Sequence, residues 1–387
     1  MSTTNHADVL VIGAGTMGVA AAWALARRGV DVLAIEQFEY FHTKGSHGGH
    51  TRIFRHCYFE GEKYVPWTLE ADRLFTEMQD RTGLEMQLRV GCLDIGTAQN
   101  RHARLAQATA IAHNLPFEML SGKEVNDRFP GWNLPEDYEA CLDPDGGVLK
   151  VENVFRGFRQ ELESAGGRIV ENTPVIGWKA NDQGVTVETA NGTFTGKHLI
   201  ITAGAWAGKV LSDLHLPLTP TRKPVMWFEV DDPAVFAPER FPSFIIDCDI
   251  AHFYGLPAVH PDSLKLGIHS DANVVDPDNF QRIVQPEDMV PEFVEFLTTM
   301  LKGAHPRAVN TSMCMYTMTP DEDFIIDRHP GHSNVSIAAG FSGHGFKFAT
   351  IIGEHLADLA TNPSADIVPA FAVSRFDEQT SVISNVR

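Results

Sequence analysis

The chain has 387 residues, 43% of them hydrophobic and 21% charged, enough apolar content for a large core and a length that suggests two domains at about 150 residues each. The 31 Lys and Arg residues stand against 50 Asp and Glu, a net charge of −19 that disfavours nucleic acid and anionic membrane as partners. Five scattered cysteines without a Cys-x-x-Cys pair signal neither a disulfide framework nor a zinc knuckle. The start, Met1 to Ala7, is short and polar, and the apolar stretch Met17 to Ala26 is far below the ~20 residues that span a bilayer. A soluble cytoplasmic protein is expected.

In chain order, the apolar run Asp8 to Ile12 ends in Gly13-Ala-Gly15-Thr-Met-Gly18, an Ala-rich stretch follows to Arg28, and a second apolar run covers Val32 to Ile35. The pattern predicts strand, tight turn, helix and strand, with Gly29 ending the helix. From Tyr40 to Tyr64 the periodicity disappears into a long loop rich in Gly, His and Arg, a length that points to function. Leu69 to Thr82 is predicted helical and Glu85 to Ile95 extended. Arg101 to Asn114, Ser121 to Phe129 and Val151 to Ser164 are further predicted helices, the last stopped by Gly166-Gly167.

A strand is predicted at Arg168 to Glu171 and a hairpin at Gly184 to Thr195, turning at Asn191-Gly192. Lys197 to Trp206 reads as a buried strand ending in a small-residue turn. After Pro217 to Pro224, the segments Val225 to Val230, Phe244 to Asp247, Ala251 to Leu256 and Leu264 to His269 read as strands of a second sheet. Asn334 to Ala339 is a final strand, Gly340 to Gly345 a glycine-rich turn, and Phe346 to Ala360 a helix. The expected fold is α/β, α+β overall: a Rossmann-like domain from residues 1–84, 149–219 and 321–370, and a mixed-sheet substrate domain from 85–148, 220–320 and 371–387.

Gly13, Gly15 and Gly18 match G-x-G-x-x-G between a strand and a helix, where backbone amides can approach a pyrophosphate. Glu36 ends the second strand roughly 20 residues on, placed to accept from a ribose hydroxyl. The motif alone does not separate FAD from NAD. A second glycine-rich turn, Gly340 to Phe348, feeds a helix whose N-terminus can stabilise a reduced flavin ring, which a nicotinamide enzyme does not need. In Gly45 to Arg55, two arginines three apart offer a bidentate clamp for a carboxylate, or two surface ion pairs. His42, His47, His50 and His56 lack recurring acidic or thiolate partners at a ligand spacing, so no metal is expected. Cys314 on its own reads as a small buried hydrophobe.

The strings GSH-x-G-x-TR-x-x-RH, YVP, LK-x-G-x-H, C-x-Y, PDE-x-FIID and GFSGHGFKF recur in order, and with them the chain resembles the monomeric sarcosine oxidase and N-methyltryptophan oxidase family from Asp8 to about Pro369. The resemblance implies FAD joined covalently through Cys314, and a cofactor site that includes Ser46, Gly343, Gly345 and Lys347. It places Arg55, Lys347 and Tyr316 around the substrate carboxylate. Arg52 would lie close to the flavin, Lys265 would face it and promote reaction with oxygen, and Tyr254 and His269 would flank the substrate amine.

The chain departs from the family pattern at Gly48, where a His is common, and at His50, where an Asp is common. Both changes bear on substrate and pH optimum. The implied activity is oxidative demethylation of an N-methyl amino acid by O2, giving amino acid, formaldehyde and hydrogen peroxide, with a monomer as the expected state. The alternatives are an oxidase of a cyclic or larger secondary amino acid of the pipecolate type, a partner-dependent flavoprotein subunit, and an NAD-dependent dehydrogenase.

Overall fold

A computed structural model describes residues 5–259, 263–269 and 273–376. Its first sheet has the strand order Ile325–His329, His332–Ala339, His198–Ile201, Val9–Ile12, Val32–Ile35 and Arg168–Val170, parallel except for the Ile325–His329 edge. The central strands Val9–Ile12 and Val32–Ile35 are apolar and buried along their whole length because both faces are covered. Val9, Val11, Val32 and Ala34 join the cluster formed with the helices Thr16–Arg27, Val65–Thr82, Val151–Ser164 and Ala349–Thr361. Leu10, Ile12, Leu33 and Ile35 point the other way, onto Val185, Val187 and Phe194 of the antiparallel strands Val175–Asn181, Gly184–Thr189 and Gly192–Gly196. The alternation is the period-two rule of a strand.

The Ala-rich helix after the first turn is small-residued for a packing reason. A Cβ at Gly353 would lie 2.5 Å from the Ala20 carbonyl, so Thr16–Arg27 and Ala349–Thr361 cross nearly backbone to backbone. That contact brings the C-terminal helix against the first one and sets the second glycine-rich turn beside the first.

The second sheet runs in the order Asn273–Val274, Thr219–Val230, Leu264–Ile268, His252–Leu256, Ser243–Asp247, Cys92–Thr97, Tyr138–Asp143 and Glu118–Ser121, with Ala304–Met318 paired along Thr219–Val230. It is antiparallel except where Ser243–Asp247 meets Cys92–Thr97. Its core is aromatic: Trp132, Phe241, Phe244, Phe253 and Phe296 pack together, with Phe253 and Phe296 stacked at 4.3 Å. A small sheet of Thr51–Phe54, Gly147–Lys150 and Gln87–Arg89 lies between the two.

Several expectations change. The aperiodic loop Tyr40 to Tyr64 contains the strand Thr51–Phe54, formed because Gly147–Lys150 offers it a partner. The extended stretch from Glu85 divides into Gln87–Arg89 and Cys92–Thr97, which join different sheets. The helix from Leu69 begins earlier, at Val65, with proline in its first turn. The strand from Lys197 ends at Ile201, and the C-terminal helix is preceded by the 3-10 turn Phe346–Phe348.

Residues 371–376, assigned from sequence to the substrate domain, pack elsewhere. Phe371 enters the helix-side cluster of the first sheet, and Val373 and Phe376 enter the cluster on its other face. Their apolar side chains are drawn to the nearest open edge of that core. Residues 377–387 lie outside the described residues.

Candidate active site

One cavity of about 910 Å3 runs from the first glycine turn to the second sheet, within the ~300–1,000 Å3 usual for ligand sites. At its first end Gly13 has φ +88 and donates its amide to the Ile35 carbonyl at 2.8 Å. A Cβ there would press on Thr202 O at 2.7 Å. Gly18, assigned to cofactor binding, does not line the cavity: it lies under the turn, where a Cβ would collide with the Gly13 carbonyl. Gly15 faces the cavity, and a Cβ on it would meet only His47 Nδ1 at 4.0 Å.

Glu36 is buried at the end of its strand, where it accepts from the amides of Ala14 at 2.8 Å and Phe38 at 3.0 Å. The turn is therefore pinned by Glu36 on one side and Thr202 on the other, leaving space above Gly15 for a phosphate group. His42 lies 3.3 Å from Glu36. His47 Nε2 donates to the His42 carbonyl, and burial first, then His42, pushes its pKa down to about 3, so it is neutral. Among the described residues no three His, Cys, Asp or Glu side chains form a metal-ligating group.

The middle wall is built by the loop Ser46 to Arg52. Arg52 donates to the carbonyls of Ser46 at 2.8 Å and Gly48 at 2.7 Å and reaches Cys314 Sγ at 3.6 Å. Cys314 stands 3.2 Å from the Ser46 carbonyl and lines the cavity, with Val225 and Trp227 behind it. Lys265 is off the cavity surface. Its ammonium is sealed behind the wall, donating to Gly49 O at 2.6 Å, Thr51 O at 2.7 Å and Thr51 Oγ1 at 3.2 Å, with the Trp227 ring at 5.3 Å. Burial, then Arg52, pushes its pKa down, while the three oxygens favour the charged form. Gly48 and His50 flank this lysine site. His50 is exposed, with φ +59 and its ring 5.7 Å from Trp227.

The far end is cationic. Arg55 is fully buried, stacked on Tyr58 and Phe59, and donates to Glu60 Oε2 at 2.6 Å and Cys57 O at 3.1 Å. Lys347 donates to Tyr58 Oη at 3.2 Å and His344 O at 2.9 Å. Burial and then Arg55 lower its pKa to about 7. Burial opposes ionisation of Glu60, but Arg55 holds its pKa down at about 2.

Tyr316, Tyr254 and His269 complete this end. Tyr254 and Tyr316 both line the cavity here, and the His269 ring lies 5.5 Å from that of Tyr316. Burial, then His252, lowers the His269 pKa to about 3. Gly343 and Gly345 line the cavity, and a Cβ on Gly343 would strike the Tyr316 ring, so the second glycine turn is what lets that tyrosine lie flat against it.

Gly13, Gly15, Glu36, Ser46, Arg52, Arg55, Tyr254, His269, Cys314, Tyr316, Gly343, Gly345 and Lys347 thus share one cavity. Sequence reasoning missed Glu60, which neutralises part of Arg55, and His252, two residues before Tyr254 and on the same strand face. Glu60 follows Arg55 by five positions in an aperiodic loop, where no local rule pairs them.

Residues 8–359 match the family described as FAD dependent oxidoreductase. The chain is 41% identical over 379 residues to monomeric sarcosine oxidase of Bacillus sp. (strain B-0618), covering 96% of this chain and 97% of the relative. It is 35% identical over 375 residues to N-methyl-L-tryptophan oxidase of Yersinia pestis (strain Pestoides F), covering 95% and 99%. In fold it is similar to NikD, an unusual amino acid oxidase essential for nikkomycin biosynthesis, with TM-score 0.84 and 24% identity over 95% of this chain and 98% of that one. The open cradle above Gly15, the pinned Glu36 and the cavity that continues to Cys314 fit a dinucleotide with a ring beyond it. The chain belongs to the family of FAD-dependent oxidoreductases.

Proposed function

We propose that the protein is an oxidase of N-methyl α-amino acids. The observation that carries this reading is the meeting of two buried cations, Arg55 and Lys347, at the end of the cavity that begins at the Gly13 turn. A carboxylate is the complement of that end, and bidentate guanidinium binding fixes its orientation. Residues 1–84, 149–219 and 321–370 supply the nucleotide unit in this reading, and residues 85–148 and 220–320 the substrate unit.

Gly13, Gly15, Glu36 and Ser46 would hold FAD, and Cys314 would carry it through a thioether. The chemistry that FAD would supply there is acceptance of a hydride equivalent from the substrate C–H and return of the electrons to O2. Arg55 and Lys347 hold the substrate carboxylate, which directs the amine towards Tyr254, Tyr316 and His269. The same cations disfavour an ammonium nearby, so the amine binds in its neutral, reactive form. His269 is neutral and can share a hydrogen bond with that nitrogen. Arg52 and Lys265 make the middle wall positive, which favours an anionic oxygen species beside it. The overall change consumes the amine, O2 and water and yields the demethylated amino acid, formaldehyde and H2O2.

A monomer is the proposed state, to be checked by the mass of the flavin-loaded protein in solution. The five cysteines are all unpaired, which supports a reducing compartment such as the cytoplasm. Among the described residues no helix is long and apolar enough to cross a membrane. The test is anaerobic addition of sarcosine, N-methyltryptophan, other N-methyl amino acids and pipecolate, each followed by air. Bleaching of the flavin band by an N-methyl compound, with recovery in air, is expected. Bleaching by pipecolate alone would move the substrate to cyclic secondary amino acids, and none by any compound would reject the reading.

A further inference from the structure

Asp94 is fully buried on the Cys92–Thr97 strand, and neither carboxylate oxygen has a hydrogen-bond partner. Buried carboxylates are ordinarily paired or hydrogen-bonded, because an isolated charge in the interior is costly. The nearest cation is Arg55, whose Nη1 stands 3.8 Å from Asp94 Oδ1, beyond hydrogen-bond range. Arg55 Nη2 is 2.6 Å from Glu60, and its Nε has no acceptor. One guanidinium therefore stands between two unlike carboxylates. Glu60 lines the cavity, while Asp94 lies behind the guanidinium and off the cavity surface.

The remaining charged and titratable groups around Asp94 come from three sides. Lys347, from the second glycine turn, adds a positive charge, and Cys92 shares the strand. Asp143, on the neighbouring strand, is negative but engaged by the His56 ring and by the amides of His56 and Cys57. Tyr58 and Cys57, beside Arg55, are neutral, burial holding the first up and Cys141 with burial the second. At the cavity end the formal charges are Arg55 and Lys347 against Glu60 and Asp94. With Asp94 ionised these already cancel, and a substrate carboxylate would add unbalanced negative charge. With Asp94 protonated, the two cations balance Glu60 and the substrate.

We propose that Asp94 is a proton-linked positioning residue for Arg55: capture of a substrate carboxylate by Arg55 and Lys347 is accompanied by uptake of one proton from solvent onto the Asp94 carboxylate. One O–H bond forms, and no electrons move. The inference rests on the carboxylate-binding reading of the site given above. Burial, outweighing the pull of Arg55, lifts the Asp94 pKa to about 7, so the exchange falls in the neutral range. The free protein loses this proton as pH rises through that value, whereas the complex keeps it. Carboxylate affinity therefore falls as pH rises, by up to about tenfold per pH unit until the pKa of the complex is reached. Lys347 loses its charge in the same range and weakens binding in the same direction, so substitution must separate the two.

The experiment is calorimetric titration of the flavin-loaded protein with acetate, a carboxylate with no CH–NH bond to oxidise, in buffers of different ionisation enthalpy from pH 6 to 9. The wild-type protein is expected to take up protons on binding, Lys347→Met to retain uptake, and Asp94→Asn to lose most of it and to bind with a flatter pH dependence. Full wild-type uptake in Asp94→Asn, or none in Lys347→Met, would overturn the proposal. Infrared difference spectra of the wild-type protein do not depend on the folding of any variant. A protonated-carboxyl band should appear when acetate binds above pH 7, and its absence would also overturn the proposal. Acetate that fails to bind the wild-type protein at any pH would reject the carboxylate reading and the proposal with it. Proton-linked binding in a protein that oxidises no amine would support the proposal and reject only the oxidase reading.

Discussion

The ammonium of Lys265 lies 2.6 Å from the carbonyl oxygen of Gly49, a contact that bridges 216 residues of sequence and ties the second sheet to the loop following the nucleotide motif. Thr51 takes the other donors. With its hydrogen bonds made inside the wall, this charge needs no reorganisation when negative charge develops on the cavity side. Lys265→Met is expected to slow reaction of the reduced flavin with O2 by about 10²-fold or more, with a much smaller effect on anaerobic reduction. Stopped-flow measurement of the two half-reactions separates them, and equal losses in both would remove Lys265 from the oxygen step.

Lys347 is held by Tyr58 and the His344 carbonyl at the end of the cavity. Replacing it with Met removes a charged donor worth ~1.5–3 kcal/mol, so apparent affinity for a carboxylate substrate should fall by roughly 10- to 100-fold. The effect should sit in KM more than in kcat. Unchanged KM in steady-state assays would place the substrate carboxylate elsewhere.

Cys314 Sγ, bracketed by Arg52 and the Ser46 carbonyl, is the thiol presented to the cavity wall. If it carries the flavin, acid-denatured wild-type protein should remain yellow in the pellet, and Cys314→Ala should release its flavin to the supernatant. Release from the wild-type protein would show a non-covalent cofactor.

His56 is buried between Asp143, at 3.6 Å, and Asp72, at 3.3 Å. Burial opposes its charge, but the two carboxylates raise its pKa to about 9. Because the folded value lies above the unfolded ~6.5, the stabilisation is complete below pH 6.5 and is lost as pH rises through 9. Melting temperature should therefore decline across that interval, and His56→Gln should be less stable at pH 6 and show a flatter decline. An identical slope in the variant would assign the loss to another group.

Much of the nucleotide end is legible in the sequence, because its signals are local: the glycine spacing, the apolar strands on either side and Glu36 all lie within one βαβ unit. The family resemblance adds Cys314, Lys265 and Lys347, whose spatial meeting no local rule supplies. Glu60 and Asp94 were unreadable for the opposite reason. An acid in a loop and an acid in a strand look like ordinary polar residues until the fold sets both against Arg55. The strand Thr51–Phe54 escaped notice because its pairing partner, Gly147–Lys150, is distant in sequence. The fate of residues 371–376 was likewise decided by long-range packing.

The hydrogen bond between Lys347 and Tyr58 joins residues 289 positions apart. During synthesis at ~5–20 residues per second, the Gly13 turn leaves the ribosome long before the segment that closes the far end of its cavity. The early sheet must therefore wait, with an unfinished parallel core, for its His332–Ala339 strand and the helix that crosses Ala20. Flavin supplied to a growing chain meets half a site. The full set of cavity contacts exists only in the finished chain, so a ligand that fills the cavity favours the completed fold over any partly formed one.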